Sequence, residues 1–124
     1  MNLSDLDEMY KAYVACALWS STTYTPNGTE EEALDSLHSI DDLAPKARQT
    51  LRRDCEDFVG TNLRDLEGIN AEDCGHDLWL TRNHHGAGFW GRGLGEVGIR
   101  LTKSAESLDN ITLYLGDDGL IHTE

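Results

Sequence analysis

The chain has 124 residues, 39% hydrophobic and 7% aromatic, and carries 23 acids against 10 lysines and arginines for a formal net charge of −13. Such a length buries enough surface for one core, while the acid excess excludes nucleic acid and an anionic membrane as direct ligands, both of which demand a basic face. The opening residues hold no basic n-region and no long apolar run follows, so neither a signal peptide nor a membrane span is expected.

Leu3, Leu6, Met9, Tyr10, Tyr13, Val14, Ala17 and Leu18 recur at steps of three and four, which predicts an amphipathic helix over residues 4–20 with Ser4 as its cap. The Ser/Thr run from Ser20 to Thr29, with Pro26-Asn27-Gly28, reads as loop. The acidic segment from Glu30 to Asp42 that follows is partly helical at best. Pro45 suits a first helical position, and Ala47, Leu51, Cys55, Phe58, Val59, Leu63 and Leu66 extend a second helix to about residue 66, stopped near Gly68. Asn70 to Cys74 suits one helical turn. Residues 77–82 then read as a strand, 83–86 as a turn and 87–90 as a returning strand. Val97 to Leu108 reads as a third helix. The alternation of 111–115 and 120–123 about Asp118-Gly119 predicts a hairpin.

Helices early and strands mostly late imply an α+β domain, two N-terminal helices and a third helix packed on a small antiparallel sheet of two hairpins. Residues 1–124 form one such domain, with the acidic stretch 21–43 as its candidate mobile loop. Cys16, Cys55 and Cys74 form no CxxC pair and are odd in number, which suits reduced thiols in a cytoplasm and not a disulfide framework.

Residues 74–98 concentrate the unusual chemistry, with His76, His84 and His85, Trp79 and Trp90, Arg82 and Arg92, and seven of the twelve glycines. Gly86-Ala-Gly88-Phe-Trp-Gly91 matches GxGxxG, but without a surrounding βαβ unit the glycines read more simply as a tight turn and a close approach of backbone. Cys74, His76, His84 and His85 are ligand types for zinc, although neighbouring histidines point to opposite sides of a strand. Cys74, His76 and Asp77 are likewise the types of a nucleophile set, set against a capping role for His76 and exposed loop histidines. No metal and no cofactor is assigned. Arg82, His84, His85, Trp90 and Arg92 are candidates for an interaction surface, arginine and tryptophan being the types that carry most binding energy at interfaces, and Trp79 and Phe89 suit the core.

The acids offer a second binding surface. Residues 1–45 hold nine carboxylates against Lys11, a net of −8, with Glu30, Glu31, Glu32, Asp35, Asp41 and Asp42 as candidates for interaction. A domain of this size is about 35 Å across, and duplex DNA of that length carries roughly 20 phosphates. The carboxylates match that number in scale, which suits the basic groove of a nucleic-acid-binding protein; the alternative is acidity for solubility alone.

The run His76-Asp-Leu-Trp-Leu-Thr-Arg-Asn-His-His-Gly-Ala-Gly-Phe-Trp-Gly-Arg-Gly-Leu-Gly95, with Leu113-Tyr-Leu-Gly-Asp-Asp-Gly119 and Ala17-Leu-Trp-Ser20, resembles a group of small acidic proteins of bacteriophages and other mobile elements. That resemblance implies context and no catalytic roles. By analogy of class it suggests a cytoplasmic accessory protein that binds a host protein, such as a nucleic-acid-binding restriction or CRISPR complex, as a DNA mimic or other inhibitor. The competing expectation is a small enzyme or ligand binder using residues 74–98. The sequence is silent on oligomeric state.

Overall fold

The computed structural model describes residues 1–24, 28, 30–86 and 88–124, Tyr24 by its backbone alone. Helix α1 spans Leu3–Ser20. Its cap is Asn2 and not Ser4: the Asn2 side chain accepts from the Asp5 backbone N–H at 2.9 Å, and the Asp5 carboxylate accepts from Asn2 N–H at 3.1 Å. This reciprocal box satisfies two of the donors that a helix start leaves open. Met9, Tyr13, Val14 and Ala17 on its inner face are fully buried.

The stretch expected as a loop carries defined elements on its described residues. Strand β1 (Thr22–Tyr24) pairs antiparallel with β2 (Glu31–Ala33), with Thr22 opposite Ala33 and Tyr24 opposite Glu31. Two 3₁₀ turns follow at Leu34–Ser36 and Ile40–Asp42. Leu34 is fully buried and fastens this excursion to the core. Residues 25–27 and 29 of the expected loop lie outside the described residues.

Helix α2 spans Pro45–Thr61, with Pro45 in its first turn as anticipated. It ends five residues before the position its apolar spacing suggested. There the Asn62 side-chain amide donates to Phe58 O at 2.9 Å and to Ser104 Oγ at 2.8 Å, taking up a helix-end carbonyl. Leu66 still reaches the core, from the turn beyond.

The largest departure lies in residues 71–92. A strand and a returning strand were expected, whereas Ala71–Arg82 is helix α3 and Phe89–Arg92 is a 3₁₀ turn. Asn70 caps α3 by accepting from Asp73 N–H at 3.1 Å. The helix is buried on nearly every side, from Ala71 and Cys74 through Leu78, Trp79, Leu80, Thr81 and Arg82. Its exposed face is confined to Glu72, Asp73 and half-exposed His76, so little 3.6-residue alternation is left to read.

Helix α4 (Glu96–Glu106) and strands β3 (Leu113–Leu115) and β4 (Ile121–Thr123) complete the chain. The hairpin turns through Gly119 at φ +79°, the left-handed conformation that its Asp-Gly pair favours. The fold is α+β, but the single small sheet beneath three helices is not its plan: among the described residues four helices pack mainly on one another, and the strands form two separate two-stranded sheets. One parallel bridge, Leu43 to Ile121, with Ala44 N–H donating to Ile121 O at 2.8 Å, ties the C-terminal hairpin to the start of α2.

α1 and α3 share the most extensive interface. Tyr13 meets Trp79 edge-on with ring centroids 5.5 Å apart, and Phe58 stacks on Phe89 at the same distance. Burial of each such ring contributes a few kcal/mol, on the order of 2. Among the described residues no helix is long and apolar enough to cross a membrane.

Candidate functional site

The two arginines of residues 74–98 do not form an open basic patch. Arg82 is 4% exposed, and its guanidinium donates to Asp54 Oδ2 at 2.7 Å, Tyr13 Oη at 2.9 Å, Leu108 O at 2.7 Å and Asp109 O at 2.9 Å. It is an internal strut between α2, α3 and the end of α4, and the expectation that it serves on an interaction surface is corrected. Burial pushes the Asp54 carboxyl up, an effect that the charge and hydrogen bond of Arg82 oppose. Burial also pushes the Tyr13 phenol up.

Arg92 is half exposed, but its guanidinium grips Asp77 through Nε to Oδ2 at 2.8 Å and Nη2 to Oδ1 at 3.0 Å. Asp77 is the most enclosed carboxylate among the described residues, at 3% exposure. A bidentate pair on a desolvated carboxylate is among the stronger protein hydrogen-bond arrangements, so Arg92 is held in place by the α3 residue it neutralises.

The remaining members of that segment disperse. His84 sits at φ +56° after α3, exposed, with Nδ1 3.3 Å from Glu106. His85 is exposed nearby and its N–H donates to Leu80 O at 2.9 Å. Trp90 is 63% exposed, with Nε1 donating to Gly86 O at 2.9 Å, and borders a 220 Å³ hollow with His84, Thr102 and Glu106. Trp79 and Phe89 are buried, at 2% and 1% exposure. The glycine motif opens no helix long enough to hold a phosphate. Gly88 lets the turn close on α3, because a Cβ there would lie 2.0 Å from Thr81 Oγ1. Ala87 lies outside the described residues.

Cys74 is fully buried, and burial together with nearby Asp77 pushes its thiol up to about 12. The same causes raise Cys16 to about 12, and burial raises Cys55. An activated nucleophile requires the opposite shift. Among the described residues no three of the His, Cys, Asp and Glu side chains are grouped so as to hold a metal ion.

Of the early acids, Glu30, Glu31, Asp35 and Asp41 are exposed, while Glu32 and Asp42 are half-buried. Glu31 accepts from Thr22 Oγ1 at 2.6 Å across the first hairpin. Asp42 accepts from Ser39 N–H at 3.0 Å and lies 3.3 Å from His38 Nδ1, so its carboxylate is a cap as well as a surface charge.

What the fold brings together is a cleft of about 440 Å³ between α1 and α3. Ala12, Ala15, Cys16 and Trp19 of α1 line it. Glu72, Asp73 and His76 of α3 line it as well, with Asp35 and with Arg92, whose Nη2 lies 4.0 Å from Asp73 Oδ1. His76 Nδ1 is shielded, with no hydrogen-bond partner among the described residues, 3.7 Å from Asp77 Oδ1.

Trp19, Glu72 and Asp73 were missed as site residues. The available signal was Trp19 itself: Leu18 and Ala17 continue the buried stripe of α1, so the adjacent indole necessarily falls off it, and it is 62% exposed. No protein-family model matches the chain, and neither a curated protein nor a solved structure shows significant similarity to it.

Proposed function

We propose that the chain is a small acidic accessory protein of phage type that acts in the cytoplasm of a bacterial host by binding a host protein. Its target class is a nucleic-acid-binding defence complex, whose basic surface it occupies as a DNA mimic, in the manner of an anti-restriction or anti-CRISPR inhibitor. The observation that carries this reading is the separation of charge. Among the described residues Asp77 is the most enclosed carboxylate and Asp54 is partly enclosed, and the two arginines of the aromatic segment are bound to these same two acids. The outward field is therefore acidic even where the sequence is locally basic, and a basic groove is its electrostatic complement. The resemblance of residues 76–95 to phage proteins supplies the context.

The test reverses Glu30, Glu31, Glu32 and Asp41 to lysine, leaving Asp42 because its carboxylate caps a turn. Host proteins are captured on the tagged chain at low and at moderate salt, and DNA binding by the captured complex is measured with and without the chain. The expected result is capture that weakens steeply with salt, displacement of DNA, and loss of both in the reversed variant. Unchanged capture and salt dependence in that variant would remove the mimic reading. Ligand binding through residues 74–98 is the second reading, favoured by His76 and Arg92 lining the cleft; retention of full biological effect by His76→Ala counts against it.

A further inference from the structure

α1 presents an uncovered face beside its buried one. Lys11, Ala15 and Trp19 are exposed along it at successive turns, and they border two adjoining hollows of about 440 and 400 Å³ that share Ala15 and Asp35. The second hollow is walled by Leu18, His38 and Ile40. The result is one groove, lined by small side chains and an indole.

Its chemistry selects the occupant. Asp35, Glu72 and Asp73 are exposed and line the same hollow as Trp19. The cation there, Arg92, has its Nε and Nη2 on the buried Asp77 and its Nη2 also 4.0 Å from Asp73 Oδ1, so Asp35 and Glu72 carry the negative field left for a ligand. An aromatic face beside unneutralised carboxylates is attractive to a cation. A guanidinium suits it better than an ammonium, because it stacks flat on an indole while its edge donates two parallel hydrogen bonds to a carboxylate. The apolar lining suits the aliphatic stem of the same side chain.

We infer that this groove docks a basic segment of the partner protein, with one arginine laid over Trp19 among Asp35, Glu72 and Asp73. The inference rests on the acidic-inhibitor reading and narrows it. Protein surfaces that contact phosphates are built largely from arginine and lysine, so a mimic needs a place where such an arginine ends.

The probe is an acetylated, amidated nine-residue peptide with three arginines spaced by alanines, titrated into the full chain and followed by the indole N–H resonances in NMR. Trp19→Phe assigns the Trp19 signal, and the citrulline peptide is the uncharged control. The docking predicts a shift at the Trp19 indole that the citrulline peptide does not produce. It also predicts about tenfold weaker binding, some 1.4 kcal/mol, in Glu72→Gln/Asp73→Asn. A variant with the same charge removed elsewhere, Glu67→Gln/Asp117→Asn, is expected to stay within about twofold of the parent. Equal weakening in the two variants overturns the groove as the docking site and leaves the acidic-surface reading standing. No binding of the arginine peptide even at low salt overturns both.

Discussion

At the scale of single residues, two bidentate arginine–aspartate pairs separate what burial does from what geometry does. Arg92 on Asp77 and Arg100 on Asp65 both make paired contacts of 2.8 to 3.0 Å. Asp77 is 3% exposed, whereas Arg100 is exposed and water screens its pair. Removing Arg92 leaves a desolvated carboxylate without its cation, which costs about 3 kcal/mol. Removing Arg100 is expected to shift the urea midpoint little. The decisive comparison is the double variant Arg92→Ala/Asp77→Asn, which is expected to be more stable than Arg92→Ala alone because the uncompensated charge is gone. A double variant less stable than the single one would mean that Arg92 acts by packing and not by neutralising Asp77.

At the scale of elements, glycines test why α1 and α3 cross so closely. A Cβ on Gly75 would lie 2.1 Å from Met9 O and 2.9 Å from Tyr13 N, both backbone atoms of α1 that cannot swing aside. Gly60 lies in α2 with nothing within 4 Å of its Cβ position. Alanine should therefore act in opposite directions. Gly75→Ala forces the helices apart and costs about 3 kcal/mol, while Gly60→Ala gains about 0.5 kcal/mol from helix propensity. Urea unfolding of the two variants measures this, and a neutral Gly75→Ala would show that the interface is loose. Burial explains the limits of the sequence. α1, α2 and the C-terminal hairpin were legible because each leaves one face to solvent and so repeats at 3.6 or 2 residues. α3 was not, because from Asp77 to Arg82 it is buried on every side, and Leu78-Trp-Leu80 then resembles a short buried strand. Asp35 was named from its charge alone. Its approach to Glu72 and Asp73 arises from packing across 37 positions of chain, which no local pattern carries.

At the scale of the whole molecule, the buried thiols set the response to alkali. Burial makes the three thiols groups for which the folded and unfolded chains hold protons differently at mildly alkaline pH. Burial raises Cys16 and Cys74 to about 12 and also raises Cys55, whereas an unfolded chain releases those protons near pH 8.5. The folded state therefore binds more protons than the unfolded state once pH exceeds about 8.5, and stability falls as pH rises. The stability these thiols confer is fully present below the unfolded value and is lost as pH climbs toward about 12. Each thiol contributes a slope of up to about 1.4 kcal/mol per pH unit in that window. The net charge of −13 acts in the same direction, since every further negative charge in the unfolding ensemble is easier to place on an expanded chain. Urea midpoints measured from pH 7 to 10 should hold level to about 8 and then decline. In a Cys16→Ala/Cys55→Ala/Cys74→Ala variant the decline should be much shallower, although its stability at pH 7 is lower because three small cavities remain. Parallel declines in the two proteins would exclude the thiols as the source of the alkaline sensitivity.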